Sequence, residues 1–446
     1  MASPARAFDL VVWGGSGFTG RLACEYLARR YTTGSKSASS VAHTEPVRWA
    51  IAGRDKAKLE KVRDAIVEKH PHAKDKITVL TATIDDPLSM ERLVSQTNTV
   101  LTFAGPFAKY GMPVVDACVK MGTDYCDITG EPTFIRNVVD KHQMNLESSD
   151  YTNAPCIVNC VGYDSVPFDL GAWGVTKYLK QKHNTPCVEA FGHVGKSKGG
   201  ASGGTFASVL HLMQSTPMSV LKKMASPHFL TADGPPDDVE TKKRWATQSG
   251  PRYDSDLKRW TMASVMAGIN TKVVARSAEL EPGIFDFSKF AYNEDTPCKS
   301  RWNAFVGTAV VGFFGGLLLF PPTRWLLAKY VLPKPGEGPD ENMRESGYAN
   351  VYVVGTGDGK GDSKKAVAHM SFRDADPGYK GTAALAVEAA LCLALSTERV
   401  KTPGALRGGG VLTPSSAMGQ VLVDRINKSE NLQFSVGELA GAELRV

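Results

Sequence analysis

Phe8-Asp9-Leu10-Val11-Val12-Trp13-Gly14-Gly15-Ser16-Gly17-Phe18-Thr19-Gly20 decides the fold of this chain. Its first six residues are a β-rich apolar run cut short by glycine, the pattern of a strand buried on both faces of a parallel sheet. Residues 19–31 then place Leu22, Tyr26 and Leu27 on one side of a helix. Between strand and helix, Gly15-x-Gly17-x-x-Gly20, extended by Gly14, has the spacing of a dinucleotide cradle. One glycine makes the tight turn, one lets the backbone approach a pyrophosphate, and one lets helix and strand pack closely. Ser16, Phe18 and Thr19 fill the bend, and the unsatisfied N–H groups of the helix start would receive the phosphates.

Downstream, residues 48–53, 77–83, 99–104 and 124–128 read as further strands, with helices at 56–69 and 113–121. Alternating strands and helices predict an α/β fold with a Rossmann-type, doubly wound parallel sheet. The polar connection 32–46 is long for such a unit. At the end of the second strand an NAD site would carry an acid for the ribose hydroxyls. Here the run is Gly53-Arg54-Asp55, followed by Lys56 and Lys58. The Arg54 guanidinium suits a 2′-phosphate, so NADP(H) is the expected cofactor, with Asp55 as a rival ribose ligand. The fourth strand runs into Phe103-Ala104-Gly105-Pro106-Phe107. Ligands bind beyond strand C-termini, so Ala104, Gly105 and Pro106 are expected along the ribose and nicotinamide, a plain turn being the alternative. Asp85 is expected either to reach the adenine or to cap the helix at Pro87.

A chain of 446 residues exceeds one ordinary core, so two domains are expected. The net charge of +6 carries no Lys/Arg block, which argues against a nucleic-acid partner. The eight cysteines form no C-x-x-C pair and lack histidines at zinc-ligand spacing; the histidines are dispersed, and no metal is expected. Scattered thiols fit a reducing compartment, and residues 1–7 are too short for a cleavable leader.

Past residue 160 a mixed α+β region is expected. It has a strand at 189–196, the glycine-rich stretch 199–205, a helix at 207–214, strands at 350–355 and 366–372 around a turn at 357–362, and a helix at 382–396. Residues 304–320 carry no charge and end at Pro321-Pro322, after which 323–332 is a second apolar piece bearing Arg324 and Lys329. The first run falls a little short of a bilayer span, so a monotopic or hairpin contact with lipid is expected. The alternative is a helix packed against the core or a partner subunit.

These residues together resemble the saccharopine dehydrogenase-like oxidoreductases over nearly the whole length. The likeness rests on the glycine bend, Ala52-Gly53-Arg54, Ala104-Gly105-Pro106-Phe107 and Tyr125-Cys126-Asp127-Ile128-Thr129-Gly130-Glu131. It continues in Val161-Gly162-Tyr163-Asp164-Ser165-Val166-Pro167, Ser202-Gly203-Gly204-Thr205 and Asp376-Pro377-Gly378-Tyr379, with Tyr163 where Phe is more usual. The resemblance implies an NADP-binding Rossmann domain at 1–165, completed by 374–446. A substrate and dimerisation domain would occupy 166–373 and carry the apolar segment 303–332. Gly130-Glu131 and Asp164-Ser165 would face the cleft between them. The family includes trans-acting enoyl reductases, and its eukaryotic members associate with lipid droplets and membranes; the resemblance implies that true saccharopine dehydrogenases lack the apolar insertion, so lysine metabolism is not the expectation.

The expected activity is NADPH-dependent reduction of a C=C, C=N or C=O bond in a lipid-like or secondary-metabolite substrate. The enzyme would work on the cytoplasmic side of a lipid droplet or membrane, with a homodimer compatible. A non-catalytic NADP(H)-binding scaffold or redox sensor is the alternative. Hydride transfer also needs a proton source. Tyr163, Asp164 and Ser165 are the catalytic candidates from a wider set that adds Tyr110 and Lys196. Capping of a helix starting near Pro167 is the competing role for Asp164 and Ser165.

Overall fold

The computed structural model describes residues 6–32, 46–148, 154–199, 203–330 (apart from 233, 235, 247 and 249), 338–359, 363–439 and 444. The first sheet is parallel throughout. It contains β1 (Phe8–Trp13), β2 (Trp49–Gly53), β3 (Thr78–Thr81), β4 (Thr97–Thr102), β5 (Asp124–Asp127), β6 (Cys156–Val158) and the late segment Gly410–Leu412. β1 sits between β2 and β4, so the chain reverses its winding there and opens the crevice where such sheets bind ligands. The unbroken apolar run of β1 has a simple cause: Leu10 and Val12 join one buried cluster, Val11 and Trp13 the other.

The second sheet is mixed. It contains β7 (Cys187–Lys198), β8 (Arg252–Asp254), β9 (Arg259–Ala263), β10 (Ala291–Cys298), β11 (Tyr348–Gly357) and β12 (Lys365–Phe372). Counting Gly410–Leu412 as β13, the last strand, β14 (Leu432–Glu438), pairs with β12. Helix Val166–His183 packs on β7, β11, β12 and β14, while Ala267–Leu280 packs on β10. β10 escaped the sequence reading because its buried residues include Asn293, Glu294 and Asp295, which leave no apolar signature. The three-residue β6 was too short to register.

Segment 374–446 serves both sheets, sending β13 to the parallel one and β14 to the mixed one. Helix Thr382–Ala394 is buried at every position and packs on helix Phe18–Tyr31, β1, β4 and β5, which explains its apolar, alanine-rich sequence. At its centre Glu388, fully buried, accepts bonds from Tyr26, Tyr31 and Arg425, and Arg425 also grips Glu398.

Helix Arg301–Leu319 does not pack into the protein's own core. Ala304 is its one fully buried residue, while Phe313 is 65% and Phe314 50% exposed. The following helix, Pro321–Tyr330, exposes Trp325, Leu326 and Tyr330. Of the loops anticipated from sequence, 33–45, 200–202 and 360–362 lie outside the described residues, as do 331–332 of the second apolar piece.

Candidate active site

The glycine bend lies at the switch point. Gly14 has φ +79°, and an added Cβ there would come 2.9 Å from Ala104 N, so the bend and the loop after β4 touch backbone to backbone. At Gly20 an added Cβ would meet Gly14 O at 2.4 Å, the close packing anticipated for the last glycine. Gly14 N and Gly15 N donate to Ala52 O, pinning the bend to β2. Helix Phe18–Tyr31 begins one residue earlier than expected, with Gly17 at its N-cap, no side-chain cap and no acid in its first turn. Gly17 is exposed and Ser16 and Thr19 are half-buried, so the helix start is open to an anion. The Phe18 ring packs edge-on against Tyr379 at 5.3 Å and lies under Arg344, which leaves its backbone N–H as its means of holding a phosphate.

At the end of β2, Arg54 is exposed and makes no ion pair among the described residues. Its neighbour is committed elsewhere. Asp55 caps helix Lys56–Lys69, accepting from Lys58 N at 3.1 Å, and Lys58 Nζ lies 3.5 Å from the same carboxylate. The bend, the open helix start and the unpaired guanidinium thus fit a phosphorylated dinucleotide. Arg54→Ala is expected to raise the NADPH Michaelis constant about ten- to a hundredfold, the scale of one hydrogen bond to a charged group, while leaving NADH nearly unaffected. Steady-state kinetics with both coenzymes decide it, and equal losses would refute the assignment.

Asp86, not Asp85, caps the helix at Pro87, accepting from Leu88 N at 3.0 Å. Asp85 is left exposed at the edge of the crevice. The stretch from Ala104 to Pro106 is more than a turn. Glu131 accepts from Phe107 N and Ala108 N at 2.9 and 2.8 Å and so fixes its far end. That is a correction for Glu131, which is buried in this role instead of facing the cleft; neighbouring Gly130 is exposed. Across the crevice, an added Cβ at Gly105 would lie 3.7 Å from Ser208 Oγ on helix Gly203–Ser215.

Among the carboxyls that burial pushes upward are Asp127, Asp169, Glu294 and Asp164, and their partners separate them. Asp127 rises to about 6 by burial, although Tyr125, Asn159 and the Thr129 and Cys160 amides all donate to it. Asp169, also near 6, is held by Ser277 and Ser415, and Glu294, near 7, by Ser264, Asn270 and Tyr292. These three tie elements together. Asp164 differs: it accepts no hydrogen bond among the described residues, its side chain is open to solvent, and desolvation alone pushes its carboxyl up to about 6. Asp164 is therefore a solvent-open carboxyl whose proton affinity is raised by the protein beside it and not by a bonded partner.

Asp164 and Ser165 do not cap helix Val166–His183. Ser165 holds the N-cap position without a side-chain bond, and its Oγ is buried beside the Cys160 thiol without a hydrogen-bond partner. Tyr163 packs edge-on against Phe372 at 5.2 Å, and burial pushes its phenol up, so it stays protonated. Residues 161–165 thus bridge the C-terminal edge of the parallel sheet and β12, two strand spacings, or about 10 Å, from the loop after β4. A cluster that sequence did not suggest, His193 with Asp254 and Asp295, lies on the face of the mixed sheet turned away from helix Val166–His183. Arg252 lies 3.2 Å from both carboxylates and supplies the positive charge there.

A glycine-bend Rossmann sheet joined to a mixed-sheet domain, with an unpaired, solvent-open acid at the junction, defines a nicotinamide-dependent oxidoreductase. Comparison with known proteins gives the particular kind. Residues 11–153 match the saccharopine dehydrogenase NADP-binding domain. A relative in Mycobacterium tuberculosis is 33% identical over 442 residues, 96% of this chain and 97% of its own. The trans-acting enoyl reductase of Mycobacterium bovis is 32% identical, over 95% of this chain and 97% of its own. A solved saccharopine dehydrogenase (L-Glu forming) from Saccharomyces cerevisiae aligns over 96% of this chain and 99% of its own, at 10% identity and a TM-score of 0.49. The chain belongs to the saccharopine dehydrogenase-like family of oxidoreductases, and its cofactor is NADP(H).

Proposed function

We propose that this enzyme reduces the C=C bond of an enoyl, lipid-like substrate, with Asp164 as the proton donor. The observation that carries the proposal is the solvent-open, unpaired Asp164 carboxyl, which desolvation raises to about 6, and the trans-acting enoyl reductases that match the chain end to end support the bond type. Bound NADPH supplies a hydride, which a conjugated C=C accepts at its β-carbon. Asp164 gives its proton to the α-carbon and regains one from water in the open cleft.

We also infer that a lipid surface is the protein's partner. Residues 296–336 contain no acid, while Arg301, Arg324 and Lys329 flank the exposed apolar helices together with Trp302, Trp325 and Tyr330. Basic and aromatic residues around an exposed apolar face are the pattern of interfacial docking.

The test of the chemistry is NADPH oxidation followed at equal protein concentration with an enoyl thioester, a cyclic imine and a ketone of similar chain length. Turnover with the enoyl thioester ahead of the other two is expected. Preference for imine or ketone would overturn the bond assignment, and NADPH binding without oxidation of any acceptor would point to a scaffold or sensor.

A further inference from the structure

Helix Gly203–Ser215 meets both proposed sites. Toward its start, Ser208 faces Gly105 of the cofactor loop, as described above. Toward its end, it packs against helix Arg301–Leu319, and Arg324 Nη1 of the next helix donates to Met213 O at 2.9 Å. Met213 lies five positions beyond Ser208, about 7.5 Å along a helix axis. One short rod therefore joins the exposed apolar hairpin to the mouth of the crevice.

The Arg324 bond is built to exchange. Arg324 is half-buried, and its guanidinium holds a single backbone carbonyl among the described residues. A lipid phosphate offers the same guanidinium a charged, bidentate acceptor, and a long basic side chain on a docked apolar helix extends toward headgroups. Docking thus withdraws the contact that ties helix Gly203–Ser215 to the hairpin.

We propose that helix Gly203–Ser215 is a lateral gate. Docking of the hairpin on lipid transfers Arg324 from Met213 O to headgroup phosphates, and the loosened helix admits a lipid-dissolved substrate sideways into the cofactor crevice. The gate rests on the lipid-surface reading given under Proposed function and adds the substrate's source and route. Entry from the lipid phase also removes the cost of exposing a long apolar chain to water.

The test combines flotation with hydrogen exchange on the full chain. The probes are phosphatidylcholine vesicles containing phosphatidylserine. The proteins are wild type, Arg324→Leu, Arg324→Lys and the double variant Phe313→Asp, Phe314→Asp. Wild type is expected to float, with the amides of 203–215 exchanging about tenfold faster on vesicles, the effect of losing one bond from a charged donor. Arg324→Leu, which gives up its phosphate contact, is expected to float less completely but to show fast exchange in 203–215 without vesicles and no further response in the bound fraction. Arg324→Lys keeps the charge while losing the planar fork, and an intermediate response from it guards against misfolding of the leucine variant. The double variant is expected neither to float nor to respond. Flotation of wild type with unchanged exchange in 203–215 would overturn the gate and spare the lipid reading. Absence of flotation would overturn both, and a doubled mass in light scattering that the double variant abolishes would assign the apolar face to a second copy of this chain.

Discussion

Asp164→Asn is expected to slow turnover with the preferred acceptor by about 10²–10⁴-fold, the range for losing a positioned general acid. The acid form does the work and the carboxyl sits near 6, so the reductive rate of wild type should fall about tenfold per pH unit above that value. The variant should lose this limb. Folding does not confound the result. A carboxyl raised in the folded state favours that state when protonated, and this contribution is lost as pH rises through about 6. Above that pH the charged Asp164 costs stability, so the neutral amide should unfold at the same temperature as wild type or a higher one. Turnover within about threefold of wild type, with the pH limb intact, would remove Asp164 from the mechanism and move the search to Tyr163 or Ser165.

Glu388→Gln is expected to destabilise the protein by about 3–5 kcal/mol, the cost of breaking one side of a buried ion pair. Glu388 is fully buried, with Arg425 Nη2 at 2.8 Å and Arg30 Nε at 3.8 Å. Removing its charge leaves both guanidiniums buried, with Glu398 the remaining close carboxylate for Arg425 and Glu430 for Arg30. The pair joins helix Thr382–Ala394 to helix Phe18–Tyr31, which carries the glycine bend at its start. The loss should therefore appear in urea unfolding and also in weaker NADPH binding, even though Glu388 is not part of the cradle. A midpoint shift equivalent to less than about 0.5 kcal/mol would show the network to be dispensable.

The cofactor half of the site was legible because its chemistry is local. Gly14, Gly17 and Gly20 follow a strand within a few residues, and Arg54 stands at the end of the next one. Asp85 and Asp86 show the limit of that kind of reading. Two adjacent acids before a proline are equivalent in sequence, and only backbone direction assigned the cap to Asp86. Glu131 shows it again, since its carboxylate reaches back to amides more than twenty residues earlier. Glu294 and Asp295 lie on β10, whose buried polar residues left no periodic trace, and the cluster with His193 of β7 and Asp254 of β8 is assembled only by strand pairing.

By itself the sequence determined the parallel sheet, the phosphate cradle, the choice of NADP(H) and the presence of a long uncharged helix. Each follows from residues close together along the chain, where steric and hydrogen-bonding rules act directly. Tertiary structure alone decided which acid is unpaired, which helix the last segment buries, and that the uncharged helix faces outward instead of into the core. Those outcomes depend on solvent exclusion and on partners brought together from distant parts of the chain. A carboxylate's neighbours set its proton affinity, and those neighbours are assembled only by folding.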